Sequence, residues 1–184
     1  MAQYTARPAR REDFTDALEI FGEAAPAVRS FWPELVPDMT RDALELKLER
    51  QFAIVCHRDD GRQMGWMLMR KTGRPLALAN EDFEETPVMA ELYLWYLRRG
   101  LPDMSYDAIL WRLCDGLALT ALRVGIDLVW GRIPLSSPAK NFRFLRRLAG
   151  MRERHVGQSD GSVGWAHFLV NVREYAEARG LSHG

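Results

Sequence analysis

The chain has 184 residues, of which 47% are apolar and 27% charged, and its 25 basic and 25 acidic side chains cancel to a formal net charge of zero. This is the composition of a globular protein with room for a sizeable core, and the charge balance argues against a nucleic-acid binder that works by bulk attraction. No apolar run approaches the ~20 residues of a membrane span, the opening residues lack the apolar stretch of a secretion signal, and the two cysteines, Cys56 and Cys114, each lie in an apolar segment and read as buried thiols of a reducing, cytoplasmic interior.

Tyr4 to Pro8 is short and extended, closed by its proline. Phe14, Ala17, Leu18, Ile20 and Phe21 then recur at helical spacing, predicting a helix over Arg11 to Ala25. The segment from Ala24 to Pro37 holds three prolines and the Phe31-Trp32 pair and reads as a connector. Thr40 is placed to cap a second helix whose apolar face is Ala43, Leu44, Leu46 and Leu48. Phe52 to His57 and Gln63 to Lys71 form a predicted hairpin around Asp59-Asp60-Gly61. A long polar connection with Glu81, Asp82, Glu84 and Glu85 leads to a strand over Val88 to Leu97.

The clearest amphipathic helix follows, over Ser105 to Val124, with Gly125 placed to stop it in a left-handed conformation. Ile126 to Ile133 is a strand, and Ser136-Ser137-Pro138 starts a helix that points Phe142, Leu145 and Leu148 inward and ends at Gly150. Met151 to Gln158 and Val163 to Val170 pair as a closing hairpin, and Asn171 to Arg179 is a short helical tail. Trp66, Trp95 and Trp130 all fall in strands and read as an aromatic core. With no repeat and no linker, residues 1–184 read as a single domain. The order β-α-α-β-β-β-α-β-α-β-β points to a mixed sheet covered by helices, with a parallel crossover between Ala90 and Ile133.

The most informative segment is the strand-to-helix turn Tyr96-Leu97-Arg98-Arg99-Gly100-Leu101-Pro102-Asp103. A turn of this kind can cradle a phosphate, because the free N–H groups of the helix's first turn point at the anion and the helix dipole favours it. Here it carries one glycine, and it sets Pro102 and Asp103 where the anion would sit. Pro102 lacks an N–H, and the Asp103 carboxylate repels a diphosphate; the alternative is a capped helix with no ligand. His57, His155, His167 and His183 show no metal-ligand spacing, so no metal site is expected.

Three strings, in this order and spacing, resemble the GNAT superfamily of N-acetyltransferases: Ala6-Arg7-Pro8 to Phe14, Ala90-Glu91-Leu92-Tyr93-Leu94, and Ser137-Pro138 to Met151. The resemblance covers roughly residues 4–170. It implies an α/β fold with a mixed, mostly antiparallel central sheet of about six or seven strands flanked by about four helices. It also implies acetyl-CoA as cofactor and a small-molecule or protein amine as acceptor. Glu91 would be the base, with Tyr93 orienting water or substrate. Backbone at Leu94, Tyr96 and Leu97 would pair with pantetheine, and Arg98, Arg99, Gly100 and Leu101 would hold the pyrophosphate.

Other readings of the same residues stand beside these. Glu91 can instead pair with a neighbouring arginine, and Tyr93 can belong to the core. The late helix has Leu145, Arg146 and Arg147 where the family often has a tyrosine acid, leaving Tyr106 or water. The Glu81–Glu85 group can attract an amine, and Lys140, Arg143, Arg146, Arg147, Arg152 and Arg154 form a basic stripe; either can be a solvated face. The second functional reading is a catalytically inactive GNAT-fold protein serving as a binding or assembly module, for example a phage virion-associated protein or a homo-oligomer, using Phe31, Trp32 and Trp165.

Overall fold

Each predicted strand and helix has a counterpart in the computed structural model, which describes residues 3–31, 41–72, 87–148, 151–156 and 164–181, with the backbone alone at 31, 93, 140 and 151–156. Thr40, Trp32, the Glu81–Glu85 group, the Ser159–Ser162 turn and His183 lie outside the described residues, as do the side chains of Phe31, Lys140, Arg152, Arg154 and His155. The strands are β1 (Tyr4–Pro8), β2 (Phe52–Arg58), β3 (Gln63–Thr72), β4 (Met89–Leu97), β5 (Leu128–Pro134), β6 (Met151–Val156) and β7 (Trp165–Asn171). The helices are α1 (Phe14–Phe31), α2 (Arg41–Arg50), α3 (Asp103–Arg123), α4 (Ala139–Leu145) and α5 (Val172–Arg179), with a 3-10 turn at Arg11–Asp13. The described strands form one mixed, mostly antiparallel sheet in the order β1-β2-β3-β4-β5-β7-β6, with β4 and β5 parallel. The chain divides into two compact units: residues 1–69 with 94–120, and residues 70–93 with 121–184.

In the first unit β1 pairs antiparallel with β2, and β2 with β3, through a register shift at Cys56/His57. Ile20, Leu44, Ile54, Leu68, Ile109 and Leu113 are fully buried. Trp66 is buried with its indole Nε1 donating to the Ala17 carbonyl at 3.0 Å, and its ring lies 5.0 Å from that of Tyr96. Burial pushes the Cys56 thiol up to about 12, so it is inert; Cys114 is half-buried, and neither cysteine is in a disulfide.

Helix α1 corrects the sequence reading. It runs through Pro26 to Phe31 where a connector was expected from Ala24. Proline in a helix interior removes one hydrogen bond, here the one the Gly22 carbonyl would accept. Burial of Ile20, Ala24 and Ala25 along the same helix offsets that loss. On α2 the buried positions are Leu44 and Leu48, whereas Leu46 is 45% exposed, so the inward face is an i,i+4 pair.

In the second unit β4 and β5 pair in parallel from Met89↔Leu128 to Glu91↔Trp130, β5 and β7 pair antiparallel, and β7 pairs with β6. Val88 and Asp127 lock the two strand starts together: the Val88 N–H donates to Asp127 Oδ2 at 2.8 Å, and the Asp127 N–H donates to the Val88 carbonyl at 2.9 Å. Met89, Leu128 and Leu169 form a buried cluster with Trp130 against it. Gly125 ends α3 with φ 69°, as its position predicts. On α4 and the turn after it the buried side chains are Asn141, Phe144, Leu145 and Leu148, so Phe144 takes the place expected of Phe142. After α4 the chain tightens, the N–H groups of Arg147 and Leu148 donating three residues back to Phe144 and Leu145, and Phe142 is half-buried with the Arg146 guanidinium over its ring.

Candidate functional site

The β4–α3 turn lies wholly in the first unit. The end of β4 is fixed by Arg98, whose N–H donates to the Met64 carbonyl at 3.0 Å. Its guanidinium is buried and reaches the Gln63 carbonyl at 2.8 Å, Glu23 Oε1 at 2.7 Å, and Glu19 through two bonds of 3.2 Å. Every one of these donors faces the protein, so the residue expected to hold a phosphate holds β4 to α1. The chain then turns at Gly100, whose φ of 72° is a left-handed value, and among the described residues a Cβ there would meet nothing within 4 Å. Arg99 is exposed.

Helix α3 starts at Asp103, and its first intrahelical bond runs from the Tyr106 N–H to the Pro102 carbonyl at 2.9 Å. Proline has no side-chain acceptor with which to cap a helix, so Pro102 leaves the first-turn N–H groups of Asp103, Met104 and Ser105 without a side-chain cap from that position. Pro102 and Asp103 are exposed, and the Met104 side chain is 78% exposed. The missing N–H of Pro102 precedes those three donors and does not remove any of them. Deeper in the same unit, burial together with the Asp107 charge pushes the Tyr106 phenol up to about 12, against an opposing hydrogen bond with Trp95, so it keeps its proton at neutral pH. Tyr96 is buried with its hydroxyl unpartnered, and burial raises its pKa.

Glu91 lies in the second unit, on β4, with its side chain 9% exposed. Arg70 on β3 binds it through Nε at 2.8 Å and Nη2 at 2.6 Å, and both bonds end on the same oxygen, Oε2. The arginine-paired alternative is therefore what the structure contains, yet it leaves Oε1 outside the pair. Tyr93 follows two residues on, in the same strand. Next to Glu91 in the register is Trp130, whose indole Nε1 donates to Thr72 Oγ1 at 3.3 Å.

Two residues the sequence reading did not single out complete this face. Arg132 on β5 is paired in register with His167 on β7, and the Arg132 guanidinium lies 4.6 Å from the centre of the Trp165 ring. His167 is half-buried, its Nδ1 is buried without a hydrogen-bond partner, and burial followed by the Arg132 charge lowers its pKa. The signal in the sequence was an arginine inside the apolar strand Leu-Val-Trp-Gly-Arg-Ile; its neighbours depend on a pairing between residues more than thirty positions apart. Among the described residues no group of histidine, cysteine, aspartate and glutamate side chains could hold a metal ion, and no helix is long and apolar enough to cross a membrane.

No family model matches the chain, and no curated protein matches it. Solved structures do. The ribosomal-protein-S18-alanine N-acetyltransferase of Escherichia coli matches with a TM-score of 0.59 at 15% identity, over 92% of this chain and 94% of its own. A putative acetyltransferase of Salmonella typhimurium, yncA, solved with its cofactor acetyl-CoA, matches with a TM-score of 0.61 at 17% identity, over 92% and 94%. A chimera of spermidine N-acetyltransferase from Vibrio cholerae and hSSAT matches with a TM-score of 0.64 at 12% identity, over 94% and 98%. With these and a Listeria monocytogenes acetyltransferase of the GNAT family among its matches, the chain has the GNAT fold expected from its sequence.

Proposed function

We propose that this GNAT-fold chain is an acetyl-CoA-dependent N-acetyltransferase acting on an amine acceptor. One observation carries the reading: a strand ends in a left-handed glycine whose Cβ position is clear of the described residues, and the 21-residue helix that follows begins without a side-chain cap from its N-cap residue. Such a helix start binds an anion through its first-turn N–H groups and its dipole. The donor set therefore fits a diphosphate. The N–H groups of Gly100, Leu101 and the first turn of α3 would hold it, with the exposed Arg99 supplying charge. Arg98 serves by fixing where the turn sits. Backbone at Leu94, Tyr96 and Leu97 would pair with the pantetheine arm.

When bound, acetyl-CoA supplies an activated acetyl thioester. The chain's own part is to receive the proton of the amine, and Glu91 suits that role: Arg70 anchors Oε2 and fixes the carboxylate's orientation, leaving Oε1 to accept. Tyr93, two residues further along β4, would orient water or acceptor. Tyr106, which keeps its proton at neutral pH, is a candidate donor to the departing thiolate.

A second reading, a non-catalytic GNAT-fold module for binding or assembly, is favoured by the Asp103 carboxylate at the helix start and by the pairing of Glu91 with Arg70. Thermal denaturation with acetyl-CoA separates the two. At 100 times its dissociation constant a ligand stabilises the fold by about 2.7 kcal/mol. The transferase reading expects a rise in Tm that grows with acetyl-CoA concentration; an unchanged Tm at millimolar acetyl-CoA rejects it in favour of the module.

A further inference from the structure

Arg132 differs from the other well-placed arginines. Arg7 is paired with Asp13, Arg70 with Glu91 and Arg98 with Glu19 and Glu23. Among the described residues no carboxylate and no hydrogen-bond acceptor meets the Arg132 guanidinium, although its stacking over Trp165 restrains it. A guanidinium lying on an aromatic ring keeps its in-plane N–H groups directed outward, where they match the two oxygens of a carboxylate. The register positions directly across from Arg132 add no acid, the nearest being Glu153, one position along β6 and paired with Phe168. His167 is Arg132's partner on β7, and β6 sets Arg154 opposite His167. Buried polar atoms are rarely left unpaired without a reason, and the His167 Nδ1 beside this arginine is one that is.

We infer that this part of the β5–β7 face is a carboxylate-recognition site, and that the acceptor is an amine that also carries a carboxylate, bound in a fork by Arg132 against Trp165. The word acceptor rests on the acyl-transfer reading above; the carboxylate site rests on the geometry alone. Arg132 lies two residues beyond Trp130, the register partner of Glu91, or about 6.6 Å along β5. A ligand with its acid on Arg132 can thus lay its amine along the strand toward Glu91 if the two groups are separated by roughly one benzene ring.

The test is calorimetric titration of the full chain, without acetyl-CoA, with 4-(aminomethyl)benzoate and with its uncharged analogue 4-(aminomethyl)benzamide. A charge-assisted fork predicts that the acid binds at least about tenfold tighter than the amide. Arg132→Gln is expected to erase that preference, and Arg132→Lys, which keeps the charge but not the planar fork, to retain only part of it. Equal affinity for acid and amide, no detectable binding of the acid at millimolar concentration, or an acid preference that survives in Arg132→Gln overturns the assignment. Should Arg132→Gln fail to fold, an Arg132→Lys variant with undiminished preference overturns it equally. None of these readouts involves the cofactor, so the carboxylate site can fail while acetyl-CoA binding holds, and the reverse.

Discussion

Two arginines, thirty-four residues apart in the sequence, show how differently the two units use charge. In the first unit Arg98 is buried and bonds to Gln63, Glu19, Glu23 and Met64. In the second, Arg132 is exposed, restrained on Trp165, and without a carboxylate among the described residues. The first arrangement is what a fold needs to fix a strand end: a buried cation is tolerated when its partners are in place, and costs heavily when they are removed. The second is what a ligand site needs, a positioned donor whose acceptor comes from outside.

Substitutions probe this contrast, the largest effects first. Gly131→Ala would drive a Cβ against the Phe168 ring and to 2.7 Å from the Leu92 carbonyl, a backbone atom that cannot step aside. Overpacking of this kind costs about 3 kcal/mol, read as a lowered urea midpoint. Gly65→Ala meets chiefly the movable tip of Leu97, with the Tyr96 carbonyl at 2.9 Å, and is expected to cost less. If the two were reversed, the β5–β7 face would be the more yielding of the two regions. Arg98→Met should cost about 2 kcal/mol, because the Gln63 carbonyl loses its donor while Glu19 and Glu23 can turn to water. Arg132→Met should change stability by less than about 0.5 kcal/mol, the usual size for an exposed side chain. Similar losses from both would remove the distinction between a structural and a waiting arginine.

Acid titration sharpens the same comparison. Burial, followed by the Arg132 charge, lowers the His167 pKa in the fold, so as pH falls below about 6.5 the unfolded chain binds more protons than the folded one and stability falls. Burial raises the Asp13 pKa, but hydrogen bonds from Arg7 and the Arg10 N–H, with the charges of Arg7 and His57, outweigh it and leave the net value below the ordinary one. Its stabilisation is present above about pH 3.8 and is lost as pH falls through the lower folded value. Tm measured against pH should therefore drop first in a segment that His167→Gln flattens, and later in one that Asp13→Asn flattens. A single segment insensitive to His167→Gln contradicts the burial of that imidazole.

How much of this was legible depended on range. Gly125, the Gly61 turn, the strand from Met89 to Leu97 and the helix after it follow from local chemistry and period, and their positions agree with the sequence within about two residues. Glu91 was legible as a carboxylate on that strand. Its partner was not, because Arg70 lies on β3 and only the sheet brings the two together. Arg98 read as a phosphate ligand because it lies in the turn where the GNAT resemblance puts the pyrophosphate; its bonds to Glu19 and Glu23 come from a helix about eighty residues earlier. Arg132, Trp165 and His167 meet only through β5–β7 pairing, for which a single sequence holds no register. Pro26 misled for the opposite reason: the local rule was sound, and burial along α1 overrode it.

The central claim is that the α3 start beside Gly100 still receives a diphosphate despite the carboxylate of Asp103. Calorimetric titration of coenzyme A into the wild-type chain and Asp103→Asn tests it most directly. The account predicts saturable binding to both, severalfold tighter to Asp103→Asn, whose side chain no longer repels the anion at that helix start. Heat-silent titrations of both proteins at millimolar coenzyme A, with their folds intact, would contradict it.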